Sequence, residues 1–334
     1  MGKNIAFYIS DHNMEHCLRT VPILQNMRKI EDEVHIFVKS GKKQMECVRS
    51  FLESDERIHF HEMEMRDREI ENWEVLAENE EAFLKKEKIG LIVSDICPWI
   101  FLAADELRIR SILLANYTWA ELCDTEEEKE EYLSCYELAS RIFIYDFHVP
   151  ELTGYGVDYE LVSMMNRPYN MEVIGRMAEQ EPFVFLDLPC KESQCADLSH
   201  LPYSFVVTEG SSFTGKNVQV LPQEVKNRQD YVAASRFLIT YGTWNRIAEA
   251  VLSNRKAAYV VQEDLPMSRQ MVGMLAQRGQ GILIEEQDLF HIDEIIERLE
   301  AFTYSYDHEY YNSDYDLAKK ILFAYPEKRR RNRS

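Results

Sequence analysis

Glycine is scarce in this sequence, 12 of 334 residues, about half the usual share. A chain that cradles phosphate with backbone amides normally places glycine there, because only a residue without Cβ lets the backbone close on the anion. No Walker-type phosphate loop occurs, Gly154-Tyr155-Gly156 lacks the third glycine of a dinucleotide fingerprint, and there is no GxSxG elbow. ATPase, dehydrogenase and serine-hydrolase readings are therefore poor. No CxxC pair exists among the seven cysteines (17, 47, 97, 123, 135, 190 and 195). The odd count and scattered spacing fit neither a disulfide framework nor a zinc site, and a reducing cytoplasm is the expected home. Basic side chains are outnumbered, 38 Lys and Arg against 58 Asp and Glu, for a net charge of −20. Such a surface repels nucleic acid. Apolar runs such as Trp99–Ala104 and Ile112–Ala115 fall far short of the ~20 residues a membrane span needs. The opening apolar run ends by Ile9, and Asp11 closes it with no small-residue cleavage site; it reads as a first strand and not a signal peptide.

What is present is an alternation of apolar strands and helical segments. Strands are expected at Asn4–Ser10, Glu33–Val38, Ile58–Phe60, Gly90–Ser94, Ser111–Ala115 and Ile142–Tyr145. Between them lie helical patterns at Glu15–Met27, Lys42–Leu52, Ile70–Lys86 and Ile100–Leu107, and one opened by Thr125 with Glu126 to Glu128 in its first turn. After Pro150 the periodicity loosens, with Gly154, Gly156, Pro168 and Pro182 marking a junction. The second half repeats the grammar, with strands at Phe183–Leu186, Tyr203–Val207, Asn217–Leu221, Phe237–Thr240, Ala257–Val261 and Ile282–Ile284. Helices at Asn245–Ser253, Ser268–Arg278 and Ile292–Phe302 accompany them, and Tyr315–Phe323 is a terminal helix. The fold class is α/β, two tandem Rossmann-like doubly wound domains facing a cleft. The boundaries are 1–165, 166–312 and, for the terminal helix with its basic tail Lys328–Ser334, 313–334. The aromatic and acidic stretch Tyr304–Tyr315 reads as packing against the first domain, with sugar stacking or an interface as alternatives.

Ligands of such sheets bind outside the carboxyl ends of the strands, so the residues just past each strand are the candidates. After the first strand comes Ser10-Asp11-His12-Asn13-Met14-Glu15-His16. A histidine there titrates near neutrality and suits a general base; no third ligand accompanies His12 and His16, so no metal site is read. Asp95 ends the fourth strand and Asn116 the fifth, as helix caps or as hydrogen-bonding groups lining a cleft. In the second half Phe237–Thr240 runs into Tyr241-Gly242-Thr243-Trp244-Asn245 and a helix carrying Glu249, the strand, loop and helix start of a generic anion site.

Taken together these residues resemble the GT-B glycosyltransferase-like proteins. Tyr8 to Thr20 resembles their GHGxGHxxR segment, Val93 to Pro98 their SDxxP, and Ala115 to Trp119 their SNFTW. Thr240 to Glu249 is similar to the TKxGxGTxxE donor loop, and Pro266 to Gln270 to PxxxQ. Order and spacing hold over about 1–290. The resemblance implies two Rossmann-like domains and metal-independent transfer of a sugar from a nucleotide-sugar donor, UDP-linked, to an acceptor hydroxyl. It implies no further cofactor. Carried over, His16 and His12 are the catalytic or substrate-contacting histidines, and Asp95 and Asn116 lie on the acceptor side. Glu249 holds ribose hydroxyls, Gln270 faces the donor sugar, and Thr240, Thr243 and Asn245 meet the diphosphate. The chain departs from the pattern at the glycines: Asp11, Asn13 and Glu15 replace those of GHGxGH, and Thr243 and Asn245 those of the donor loop. The first strand of the second domain runs into Asp187-Leu188-Pro189. A carboxylate near a diphosphate is repulsive, so the alternative reading is a non-catalytic paralogue that binds a partner transferase. A nucleotide-sugar hydrolase or epimerase on the same scaffold is a further alternative.

Overall fold

The computed structural model describes residues 3–188, 196–262 and 266–326. Pro189, Cys190, Cys195 and the basic tail Lys328–Ser334 lie outside the described residues. The chain divides into two compact units, Met1–Ser163 with Ser313–Ser334, and Met164–Asn312.

In the first unit β1 (Asn4–Ile9), α1 (Met14–Ile30), β2 (His35–Ser40), α2 (Lys42–Leu52) and β3 (Ile58–Glu62) form the opening βαβαβ run. The chain continues through α3 (Trp73–Lys86), β4 (Leu91–Asp95), α4 (Ile100–Glu106), β5 (Arg110–Ala115), α5 (Glu126–Tyr136), β6 (Arg141–Tyr145) and β7 (Tyr159–Val162). The seven strands are all parallel in the order β3-β2-β1-β4-β5-β6-β7. Strands covered by helices on both faces need continuous apolar runs, and NIAFYI of β1 is buried from Ile5 to Ile9. Helix α1 runs three residues beyond the expected Met27; Asn13 caps it, its Oδ1 accepting from the Glu15 N–H at 2.8 Å. Thr125 caps α5 as expected, accepting from the Glu128 N–H.

The second unit contains α6 (Met171–Ala178), β8 (Phe183–Asp187), β9 (Ala196–Asp197), β10 (Ser204–Thr208), β11 (Phe213–Thr214) and β12 (Val218–Leu221). After these come α7 (Arg228–Ala234), β13 (Phe237–Tyr241), α8 (Trp244–Leu252), β14 (Lys256–Val260), α9 (Pro266–Gln277), β15 (Ile282–Ile284) and α10 (Ile292–Ala301). Six of these strands form a parallel sheet in the order β12-β10-β8-β13-β14-β15, and β11 pairs β9 in a small ribbon. Numbered within each unit, both sheets have the order 3-2-1-4-5-6, with β7 added at the edge of the first. The strand order therefore reverses between β1 and β4 in one unit and between β8 and β13 in the other. Such reversals open a crevice at the strand carboxyl ends. The tyrosine-rich stretch around Tyr304 packs in the second unit and not on the first as expected. Ser305 N–H donates to the Gly279 carbonyl at 2.9 Å, and Gln280 Nε2 to the Ser305 carbonyl at 2.7 Å.

Helix α11 (Asp314–Ala324) returns to the first unit and lies against α1. Leu317, Ala318, Ile321 and Leu322 are its buried face. Beyond it the Tyr325 ring stands so close to Gly90 that a Cβ there would come within 2.5 Å of the phenol oxygen. Glycine before β4 is thus what admits this ring. No helix among the described residues is long and apolar enough to cross a membrane.

If α11 is integral to the first unit, Ile321→Ala, at a residue 0% exposed, should cost about 3 kcal/mol and lower the melting temperature by several degrees. A loss below about 1 kcal/mol, the size of an ordinary surface substitution, would show that α11 contributes little.

Candidate functional site

At the reversal in the first unit, the Ser10 N–H donates to the Asp95 carbonyl at 3.1 Å and Ile9 bridges Ile96. Ile96 is a buried β-branched residue at φ +58°, a conformation such a residue holds only where its surroundings force it. Above this turn sits a sealed ionic cluster. Arg19 Nε donates to Asp95 Oδ2 at 2.8 Å, Arg19 Nη2 pairs with Oδ1, and Nη1 reaches Asn116 Oδ1. The Arg19 guanidinium also lies 4.8 Å from the centre of the Tyr145 ring. His16 Nδ1 is 2.9 Å from Asp95 Oδ1, and its Nε2 is 3.3 Å from the Tyr117 hydroxyl. Asn13 Nδ2 donates to that hydroxyl at 3.1 Å. The cluster is satisfied when His16 Nδ1–H donates to Asp95 and Tyr117 O–H to Nε2. Burial pushes the Asp95 carboxyl up, but Arg19 and His16 outweigh it and hold it below the usual carboxylate range. Burial, with Arg19 beside it, lowers His16, and Asp95 only partly restores it. His16 is 0% exposed with both ring nitrogens engaged. Removing one member of such a group typically costs about 3–5 kcal/mol.

Beside this cluster is an open cleft of about 440 Å³ whose walls include Asp11, His12, Asp67, Arg68 and Trp119. The His12 ring stands edge-on to Trp119 at 4.7 Å, and the Arg68 guanidinium lies 4.7 Å from the Trp119 ring centre. Thr118 and Glu121 form a capping box that fixes the turn carrying Trp119. Asp67 is 3% exposed. Ser10 Oγ donates to its Oδ2 at 2.6 Å, and the Tyr132 hydroxyl to its carbonyl at 3.1 Å. No hydrogen bond of normal geometry reaches Asp67 Oδ1 or Trp119 Nε1. Burial pushes the Asp67 carboxyl up to about 7; Ser10, Cys97 and Trp119 pull it back, and Asp11 adds to the rise. Burial lowers His12 to about 4, helped by His16 and Arg68. Near neutral pH the histidine is uncharged and the carboxyl is half-protonated.

In the second unit the reversal is filled by side chains. Asp187 ends β8; its Oδ2 pairs with Arg246 Nε, and its Oδ1 is 3.4 Å from Arg228 Nη1. Arg246 Nη1 also pairs with Glu249, whose side chain is 4% exposed and whose Oε1 is 3.7 Å from Arg167 Nη2. Thr240 Oγ1 donates to the Asp187 carbonyl at 3.1 Å. Thr243 stands at the N-cap of α8 without a side-chain cap bond, and Asn245 is buried in the first turn. Gln270 is exposed on α9. Gly242 serves packing: a Cβ there would come within 2.1 Å of a Val272 methyl. A cavity of about 620 Å³ lined by Phe183, Ser204 and Val218 lies at the amino ends of β8, β10 and β12, away from the reversal.

The structure thus gathers His16, Asp95 and Asn116 into one network through Arg19, and puts His12 in the cleft beside it. It gathers Thr240 and Glu249 around Asp187 and Arg246, and leaves Gln270 outside that group. Asp67, Arg19 and Arg246 are absent from the residues the sequence singles out as site candidates. Arg246 was within reach: in TKxGxGTxxE it stands at the second threonine, a basic side chain opposite the new Asp187. Asp67 gives no such signal, because its segment Arg66-Asp67-Arg68-Glu69 reads as a solvated loop.

A carboxyl raised to about 7 in the folded state keeps a proton that the unfolded chain releases near pH 4. The stability this contributes is fully present below about pH 4 and is lost as pH rises through about 7. His12, lowered to about 4, acts the other way, costing stability as pH falls from about 6.5. Comparing Asp67→Asn with the parent at each pH cancels the histidine. The variant should gain on the parent between pH 4.5 and pH 8, by on the order of 3 kcal/mol, read as a difference in melting temperature. A constant difference across that range would mean that Asp67 titrates normally.

Sequence comparison finds no matching protein-family model and no matching curated relative. Comparison with solved structures does find likeness along nearly the whole chain. A UDP-glucosyltransferase from Polygonum tinctorium capable of glucosylating indoxyl has a TM-score of 0.68 at 12% identity, covering 98% of this chain and 99% of that one. A Medicago truncatula protein complexed with UDP-glucose has a TM-score of 0.61 at 13% identity, over 96% of this chain and 95% of that one. MurG of Acinetobacter baumannii has a TM-score of 0.64 at 10% identity, over 96% of this chain and 99% of that one. With its two parallel sheets of matching strand order, the chain has the GT-B fold of glycosyltransferases.

Proposed function

We propose that this protein transfers a sugar from a nucleoside-diphosphate donor to an acceptor hydroxyl, with the acceptor on the first unit and the nucleotide on the second. The observation that carries the reading is the first unit's cleft. Two titratable groups there, His12 and Asp67, are pushed in opposite directions at the carboxyl ends of the strands beside the reversal. Opposed shifts of this kind are what acid–base chemistry near neutral pH requires. His12 is the histidine placed to meet a ligand as a neutral hydrogen-bonding group. His16, Asp95 and Asn116 act from beneath, bracing the turn that carries the cleft.

On the second unit, Arg228 and Arg246 would offset the charge of a departing diphosphate together with the first-turn amides of α8. Thr240, Thr243 and Asn245 flank that helix start, and Glu249 and Gln270 lie further along α8 and α9. A UDP-linked donor is proposed because the similar structures include a UDP-glucosyltransferase and a protein holding UDP-glucose. One observation favours a second reading, a non-catalytic paralogue that binds a partner transferase. Asp187 and Glu249 are already paired with arginines, so the diphosphate position holds the chain's own anions.

Thermal unfolding against UDP, ADP, GDP, UDP-glucose and UDP-GlcNAc tests the choice. A ligand at 100 times its dissociation constant stabilises by about 2.7 kcal/mol, a shift of several degrees. Transfer predicts such a shift with a UDP-linked ligand and its loss in Arg246→Ala. No shift with any ligand, in a protein that melts cooperatively, would support the non-catalytic reading.

A further inference from the structure

The cleft in the first unit has two buried polar atoms that the chain itself leaves without a normal hydrogen bond, Asp67 Oδ1, an acceptor, and Trp119 Nε1, a donor. A leftover polar atom in a well-packed interior is costly and calls for an explanation. A hydroxyl group both donates and accepts, so one hydroxyl answers both atoms. The carboxyl is oriented before any ligand arrives. Ser10 Oγ holds Oδ2 and the Tyr132 hydroxyl holds the Asp67 carbonyl, while Trp119 is fixed by the Thr118–Glu121 capping box.

We propose that the cleft binds a neutral polyhydroxylated acceptor, a saccharide or polyol, and that Asp67 is the catalytic residue that takes the proton from its attacking hydroxyl. The proposal rests on the sugar-transfer reading above. In the step, the hydroxyl proton passes to Asp67 Oδ1 as the acceptor oxygen bonds to the anomeric carbon. The bond from that carbon to the diphosphate oxygen breaks, and its electron pair leaves with the nucleoside diphosphate.

Three observations favour Asp67 over the histidines. His16 is sealed, with Asp95 on one nitrogen and Tyr117 on the other. His12 lines the cleft but is held too acidic to retain a proton near neutral pH. Asp67 is buried toward the side of its loop that meets the ends of β1, β4 and β5, through Ser10, Cys97 and Trp119. The charged groups that face it are Asp11 and Arg68, with the ionisable Cys97 from the end of β4 and Tyr132 and Tyr136 from α5. The acceptor class follows from the walls. Apart from the Trp119 ring they are polar or charged, and the wall arginine Arg66 is already paired with Glu64 and Glu69. Such walls suit hydroxyls, offer little to a flat apolar aglycone, and have no spare cation for an acidic one.

The test is release of UDP from UDP-glucose and UDP-GlcNAc with glucose, maltose, glycerol and inositol as acceptors, and 4-nitrophenol as the apolar comparison. The parent, Asp67→Asn, Asp67→Glu and His16→Gln are compared across pH 5 to 9. The expected result is turnover with the polyhydroxylated acceptors and a kcat that rises through a limb near pH 7. Asp67→Asn should lose roughly 100-fold or more in kcat with the donor KM unchanged and that limb gone, and Asp67→Glu should recover part of the rate. Asp67→Asn within 3-fold of the parent with the limb intact would overturn the catalytic role, and turnover with 4-nitrophenol alone would overturn the acceptor class. If no donor turns over with any acceptor, sugar transfer itself has failed. The cleft is then judged by saccharide binding read from tryptophan fluorescence: saturable binding lost in Asp67→Asn supports it, and no binding overturns it.

Discussion

The buried pairing of Asp95 with Arg19 and His16 is the constraint on which the first unit depends. It joins the end of β4 to the first turns of α1, and through Asn116 to the end of β5, so the strand ends at the reversal are tied by charge as well as by the sheet. An arginine that is almost wholly out of water is tolerable only because a carboxylate, an amide and an aromatic face surround it. The same arrangement makes His16 unavailable: a ring with both nitrogens committed can hold a backbone in place but has no lone pair to offer a substrate. What the cluster supports is the open pocket beside it, where His12, Asp67 and Trp119 stand on loops whose lower ends it pins.

The two units solve one problem in opposite ways. Each reverses its strand order and so opens a crevice that a doubly wound sheet must fill or use. In the first unit charge is buried beneath the crevice and a cleft remains above. In the second, Asp187 and Glu249 bring two carboxylates to the reversal, and Arg246 and Arg228 answer them, so side chains occupy space that glycine would have left open. Low glycine content and the ionic filling of the second reversal are thus two views of one substitution pattern. Gly242, retained one position from where the donor-loop motif has glycine, is explained by the approach of Val272 and not by a phosphate.

Much of the fold was legible because parallel buried strands must be nearly continuous apolar runs: NIAFYI, LIVSD, RIFIY and FLITY each announce themselves. The elements that escaped are those whose burial is weak. Strand β7 is an edge strand with exposed Tyr159 and Leu161, and α6 buries none of its residues. The site was legible in part. His12, His16, Asp95 and Asn116 could be singled out as polar groups at strand ends, but pairing between residues 79 positions apart is a property of the folded sheet. Asp67 was invisible because its neighbours are charged and exposed, and only the packing of Ser10, Tyr132 and Trp119 around it turns a loop aspartate into a buried acid.

The central claim is that this cleft holds a carboxyl poised for proton transfer at neutral pH. The most direct measurement is a carbon-13 NMR titration of the aspartate carboxyl groups, with the Asp67 resonance assigned by its absence in Asp67→Asn. The account predicts a midpoint near 7 for that resonance. A midpoint near 4, where an ordinary aspartate titrates, would contradict it and return the cleft to an unremarkable fold in the surface.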